Sequence, residues 1–166
     1  MFIIKKKIII ILSILLAIGT FVTLYLYNMP QKIEVVSNEI TDYNRLTYQN
    51  IEDYVKQQSE NVFLYFCSYE NNNCIYINNI IIPNIIRDYN LKGLKDIQFV
   101  DLSNIDTSFY RFRRKWTIKE FPAFINAKYN LESETIEVKS ILQWDDKVQI
   151  TQDNLVKWLK DNGIIK

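Results

Sequence analysis

The hydrophobic positions of this 166-residue chain fall into two zones, and the first is a run without any charged side chain at residues 8–27. A helix rises about 1.5 Å per residue, so this run is long enough to cross a hydrocarbon core of roughly 30 Å. It ends at Tyr25 and Tyr27, which suit a membrane interface, and it lacks the small-residue site of a cleaved signal peptide. Residues 1–7 carry three lysines, which favour a cytoplasmic N-terminus. We therefore predict a single-pass signal anchor in the cell membrane, with the rest of the chain outside the cytoplasm.

Beyond a polar linker at residues 28–46, which has room for a short strand at 33–36, apolar runs alternate with amphipathic stretches. Continuous or alternating apolar runs predict strands over residues 62–66, 97–102, 123–127 and 136–144. Helical spacing predicts helices over residues 48–58, 75–89, 104–116 and 152–162. Thr47 and Thr151 are the expected N-caps, Pro83 is expected to kink the second helix, and Gly93 to end it. Residues 47–166 are thus predicted to form one α/β domain.

Charge and composition exclude several classes of function. The chain has 20 Lys and Arg against 19 Asp and Glu, so a general nucleic-acid binder is not expected. The one basic cluster, between Arg111 and Lys119, is interpreted as a solvated helix face. There is no histidine and there are only two cysteines, so neither a metal site nor a Ser–His or Cys–His nucleophile is expected. Three scattered glycines cannot form a phosphate-binding loop, and no cofactor is predicted.

The two cysteines follow the second predicted element with the spacing Cys67-x₆-Cys74. Outside the cytosol, cysteine pairs usually bond. Three interpretations stay open: a redox-active pair, a static disulfide that pins the Asn-rich loop between them, or two reduced residues. Cys74 lies near a predicted helix start, where a thiolate is stabilised, so it is the better nucleophile of the two in the first interpretation.

A second motif lies at Trp116-x-Ile118-x-x-x-Pro122, where an aromatic residue closes a helix and a proline opens an apolar strand. Proline belongs at a strand start, and a tight turn there makes it a candidate cis peptide. This motif resembles the cis-proline segment of thioredoxin-like proteins. A cysteine at the end of a buried strand and a proline within the helix after a second cysteine extend the resemblance to residues 45–165. The layout is similar to that of membrane-anchored thioredoxin-like proteins of low-GC Gram-positive bacteria, including bacteriocin accessory proteins.

The resemblance implies a central mixed sheet flanked by helices, with Pro122 opposite the cysteines and Phe121 facing a bound protein or peptide. Thioredoxins carry Cys-x-x-Cys at the helix start, and this chain departs from that pattern. If Cys74 matches the second cysteine, Asn71 stands in place of the first; if Cys74 matches the first, Ile77 replaces the second.

The favoured function from the sequence is thiol–disulfide exchange on exported or cell-surface proteins, in which Cys74 attacks and Cys67 resolves. The alternative is a non-catalytic binding or accessory module with a structural Cys67–Cys74 disulfide. A weaker third hypothesis is a structural subunit of an envelope complex, docked through the anchor and the basic face that ends at Lys119.

Overall fold

The computed structural model describes residues 16, 18–21, 23, 45–103, 105, 109–145 and 147–166. The chain divides into two units, Met1–Glu34 and Val35–Lys166. Described residues of the first unit are helical and exposed. The predicted anchor and linker, with the short strand at 33–36, lie largely or wholly outside the described residues. Within those residues, none of the helices combines the length and the apolar character needed to cross a bilayer.

Five strands and five α-helices, with one π-helical segment, make up the second unit as described. In chain order the elements are β1 (Arg45–Thr47), α1 (Ile51–Gln57), β2 (Val62–Cys67), α2 (Asn72–Tyr76), the π segment (Ile77–Ile81), α3 (Ile82–Asp88), β3 (Ile97–Asp101), α4 (Phe109–Lys115), β4 (Ala123–Asn130), β5 (Thr135–Gln143) and α5 (Gln152–Asp161). The strand order across the sheet is β1-β3-β2-β4-β5. β1, β3 and β2 run parallel to one another. β4 pairs antiparallel with β2, and β5 pairs antiparallel with β4. The predicted mixed sheet is confirmed.

Each face of the sheet carries its own hydrophobic core. Along β2, Tyr65 enters one core and Phe66 the other, and both are fully buried. A strand buried on both faces needs apolar residues at every position, which explains the continuous run in the sequence. The π segment, α3 and α5 contribute to the first core, while α1 and α4 contribute to the second.

The segment after Cys67 forms one continuous helical stretch, α2, the π segment and α3. Pro83 lies in the first turn of α3, immediately after the π segment. Since proline lacks an N–H, the helical hydrogen-bond pattern must change there, and the expected irregularity takes the form of a π segment. The helix ends at Asp88 rather than at Gly93, because Asn90 adopts a left-handed φ of 49° and stops it earlier.

The start of the domain differs from the prediction in two ways. β1 was missed, because its three residues contain a single apolar side chain, Leu46. The first helix starts at Ile51 with Asn50 at the N-cap, so the assignment of Thr47 as the cap is wrong. Thr47 instead donates its backbone N–H to Asn50 Oδ1 at 3.0 Å and closes the turn between β1 and α1. The cap predicted at Thr151 is confirmed, with a reciprocal capping box to Asn154.

Candidate functional site

Cys67 and Cys74 are joined by a disulfide with an S–S distance of 2.03 Å. β2 ends at Cys67, and the first turn of α2 carries Cys74, which puts their Cα atoms 5.8 Å apart. The interpretation in which both cysteines stay reduced is therefore wrong. Both residues are fully buried, with 0% of their surface exposed.

The Asn-rich loop between the cysteines is ordered by its own hydrogen bonds. Asn71 is the N-cap of α2, and its Oδ1 accepts from the backbone N–H of Asn73 at 2.9 Å and of Cys74 at 3.1 Å. Asn71 also donates its backbone N–H to the carbonyl of Ser68 at 3.2 Å. The N–H of Ser68 in turn donates to Cys74 Sγ at 3.3 Å. Asn71 therefore holds both the first turn of α2 and the loop that leads into it.

Tyr65 is a buried residue beside the disulfide that the sequence did not mark as functional. The Tyr65 hydroxyl donates to Asn78 Oδ1 at 2.9 Å, and its oxygen lies 2.9 Å from Cys67 Sγ. Burial, with a smaller contribution from Tyr69, raises the pKa of Tyr65 well above its usual value. The only signal for this residue was its hydroxyl group in an otherwise apolar strand. In a pattern of hydrophobic positions, Tyr at this position is indistinguishable from Phe.

Pro122 opens β4, and the Phe121–Pro122 peptide bond is cis, as the motif predicted. The Pro122 carbonyl accepts from the N–H of Trp144 at 2.8 Å, and Pro122 itself is buried. Phe121 is half-buried, and its ring centroid lies 5.5 Å from that of Phe109. In the described part of the chain, the N–H and carbonyl of Phe121 make no backbone–backbone hydrogen bond.

A shallow groove of about 290 Å³ lies between the disulfide loop and Phe121. Its lining residues are Ser68, Glu70, Asn71, Leu102, Ile105, Phe109 and Phe121. The structure thus brings the predicted substrate-facing residue Phe121 next to the disulfide loop. Neither cysteine lines the groove, nor does Pro122. The disulfide loop contributes Ser68, Glu70 and Asn71 to the lining instead.

The remaining polar clusters have simpler explanations. A larger cavity, of about 650 Å³, lies between the end of α1 and the β4–β5 hairpin, and lysines and glutamates both line it. On the basic face, Arg113 pairs with Glu120 at 3.2 Å and Lys115 pairs with Glu52 at 2.5 Å. Such pairing agrees with a solvated helix face. Among the described residues there is no group of three or more potential metal ligands of the His, Cys, Asp and Glu types.

No protein-family model and no curated protein matches the chain. Several solved structures are similar to it. Thioredoxin f2 of Chlamydomonas reinhardtii is 18% identical, with 75% of this chain and 99% of that chain covered and a TM-score of 0.47. A Thermus thermophilus thioredoxin is 14% identical, with coverage of 72% and 86% and a TM-score of 0.47. Trichomonas vaginalis thioredoxin is also 14% identical, with coverage of 72% and 96% and a TM-score of 0.45.

The fold is identified by features of the chain itself. These features are the strand order, the strand directions, the disulfide between β2 and α2 and the cis-proline before β4. The protein has an α/β thioredoxin-like fold with a bonded Cys67–Cys74 pair.

Proposed function

We propose that this protein is a membrane-anchored, thioredoxin-fold binding module. It holds an extended segment of an exported or cell-surface protein in the groove beside Phe121, and its Cys67–Cys74 disulfide is structural. One observation carries the proposal: Asn71 lines the groove, whereas both cysteines are fully buried and do not line it.

The burial of the cysteines favours a structural role over a catalytic one. Thiol–disulfide exchange begins when a thiolate attacks a sulfur atom, so the rate depends on access to that sulfur. A polypeptide in the groove meets Asn71 and Ser68 before it reaches Cys74. The loop would have to open before any external thiol could react, whereas a structural disulfide needs no such opening.

The groove has the features that binding an extended chain requires. The N–H and carbonyl of Phe121 are available to pair with an added strand, and main-chain hydrogen bonds of this type supply affinity in β-strand addition. Leu102, Phe109 and the ring of Phe121 supply apolar walls. The disulfide fixes the opposite wall before any partner arrives, which reduces the entropy lost on binding.

The location in the proposal comes from the sequence. Three lysines precede the uncharged run at residues 8–27, which favours a cytoplasmic N-terminus and a domain outside the cytoplasm. In that compartment a disulfide persists and can serve as a permanent cross-link.

The test combines binding with thiol trapping on the full chain in detergent micelles. The probes are short fluorescein-labelled peptides with a central Phe in an otherwise Val- and Ser-rich sequence, measured by fluorescence polarisation. The double variant Cys67→Ala/Cys74→Ala should keep measurable binding, whereas Phe121→Ser should lose it. The native pair should have a reduction potential below about −300 mV in dithiothreitol buffers. Loss of binding in a folded double variant would contradict the proposal.

Thiol–disulfide exchange is the second candidate, and a specific contact favours it. The N–H of Ser68 points at Cys74 Sγ at 3.3 Å, which would stabilise a thiolate in the reduced protein. Cys74 would then attack a substrate disulfide, release one substrate thiolate and form a mixed disulfide. Cys67 would attack Cys74, reform the disulfide seen here and release the second thiolate. A potential between about −270 and −120 mV, with loss of insulin reduction in Cys74→Ser, would establish this function instead.

A further inference from the structure

We infer that the groove is selective for a segment that combines a bulky apolar side chain with a nearby Lys or Arg, and that the carboxylate of Glu70 recognises the cation. The inference deepens the proposed function and rests on it. It follows from the size of the groove, from the position of its single charged lining residue and from the pairing of the neighbouring cation.

The apolar half of the groove fits a side chain rather than a small-molecule ligand. The volume of the whole groove, about 290 Å³, is at the lower limit of the range of roughly 300–1,000 Å³ that is typical for pockets that bind drug-sized ligands. Phe109 and Phe121 form one wall with their rings 5.5 Å apart and inclined by 37°. Leu102, which is 4% exposed, lies at the base. The groove has room for one Phe, Leu or Met side chain against this wall.

Glu70 is the only charged residue among the described residues that line the groove. It is exposed, and its carboxylate has no ion-pair partner in the part of the chain that the structure describes. The backbone N–H of Glu70 donates to Ser68 Oγ at 3.3 Å, and Ser68 belongs to the loop that the disulfide closes. The backbone that carries the Glu70 side chain is therefore held in place before a partner binds.

The cation beside the apolar wall is already engaged. The Arg113 guanidinium lies over the Phe109 ring, 5.5 Å from its centroid. It donates to Glu120 at 3.2 Å and to the carbonyl of Ile118 at 3.3 Å. Since Arg113 has its own carboxylate, the unbalanced charge among the described lining residues of the groove is that of Glu70. A cationic side chain complements that charge, and an anionic one meets repulsion.

The expected selectivity is modest, because Glu70 is exposed to water. Exposed ion pairs typically change an affinity by about 1.4- to 5-fold. Attraction of Lys and repulsion of Glu act together, so a Lys peptide should bind roughly 3- to 10-fold more tightly than its Glu counterpart at low salt. The ratio should fall towards one in about 1 M salt, where the screening length is about 3 Å.

The experiment uses a set of the peptides with a central Phe. Each peptide carries a single Lys, Gln or Glu, and the position of that residue varies on either side of the Phe. Binding to the full chain in detergent micelles is measured for wild type, Glu70→Gln, Glu70→Lys and the control Glu60→Lys. Glu60 is exposed and precedes β2, at the opposite end of that strand from the disulfide loop. Glu60→Lys and Glu70→Lys change the net charge by the same amount.

We expect wild type and Glu60→Lys to prefer Lys over Glu at the same peptide position, Glu70→Gln to show no preference, and Glu70→Lys to reverse it. If peptides bind but the four proteins rank them alike, the role of Glu70 is wrong and the proposed function stands. If no peptide binds to the wild type, the proposed function itself fails.

Discussion

Reduction of the Cys67–Cys74 disulfide should destabilise the domain by an amount set by the length of its loop. The cysteines are separated by 7 positions, so the closed loop contains eight residues. In the chain-entropy model, closing a loop of this size lowers the entropy of the unfolded state by about 8 cal/mol/K, or about 2.4 kcal/mol at 25 °C. Since the domain is expected to be stable by only about 5–15 kcal/mol, this is a large fraction of its stability.

The assay is equilibrium urea unfolding of the oxidised and the dithiothreitol-reduced chain, followed by circular dichroism. The reduced protein should unfold at a urea concentration lower by about 1 M. Thermodynamic linkage supplies a second measurement, because the same 2.4 kcal/mol should make the reduction potential of the folded protein about 50 mV more negative than that of the urea-unfolded chain. Equal midpoints for the two forms, or equal potentials for folded and unfolded chain, would refute the structural role of the disulfide.

Three further predictions concern residues near the site or in α5. Asn71→Ala should lower the free energy of unfolding by about 1 kcal/mol, because a helix cap is lost, while Asn71→Asp should retain most of it in urea unfolding. Tyr65→Phe removes the hydrogen bond to Asn78 and should destabilise by about 1–2 kcal/mol at neutral pH. Because the pKa of Tyr65 is raised in the folded protein, the folded protein keeps a proton that the unfolded chain loses above about pH 10. The free energy of unfolding of the wild type should therefore fall as the pH rises beyond 10, by at most about 1.4 kcal/mol per pH unit from this group. Tyr65→Phe should lack this contribution. Thr151→Ala should cost about 1 kcal/mol through the broken capping box with Asn154, with no effect on peptide binding.

Features that depend on a few neighbouring residues were predicted well. The strands at β2, β3 and β4 are continuous apolar runs, and the amphipathic α5 has a cap and a stop signal at its ends. The cis bond before Pro122 was predicted from a proline at a strand entry, and two of the three interpretations of the closely spaced cysteines included the bond that the structure shows. Each of these signals depends on a few neighbouring residues, so one sequence is enough to read it.

Features that depend on distant contacts were missed or misplaced. β1 forms because Leu46 and its neighbours pair with β3, more than fifty positions away, and its three residues carry little propensity of their own. The cap of the first helix is Asn50 rather than Thr47, because Thr47 is already held in that strand. The contact of Tyr65 with Cys67 is a property of the folded core, and so is the burial of both sulfur atoms. Whether a cysteine faces a groove or the interior cannot be read from its spacing.

The position of Asn71 has a consequence for how such a domain could change over time. A residue that is exchanged at a groove wall alters what the surface does, whereas one that is exchanged in the core alters whether the chain folds. Here the sulfur atoms belong to the core and the cap belongs to the groove wall. In this chain the cross-link and the groove wall are therefore formed by different residues. A substitution at Asn71 would alter the groove wall and weaken the cap of α2, but it would leave both ends of the cross-link in the core.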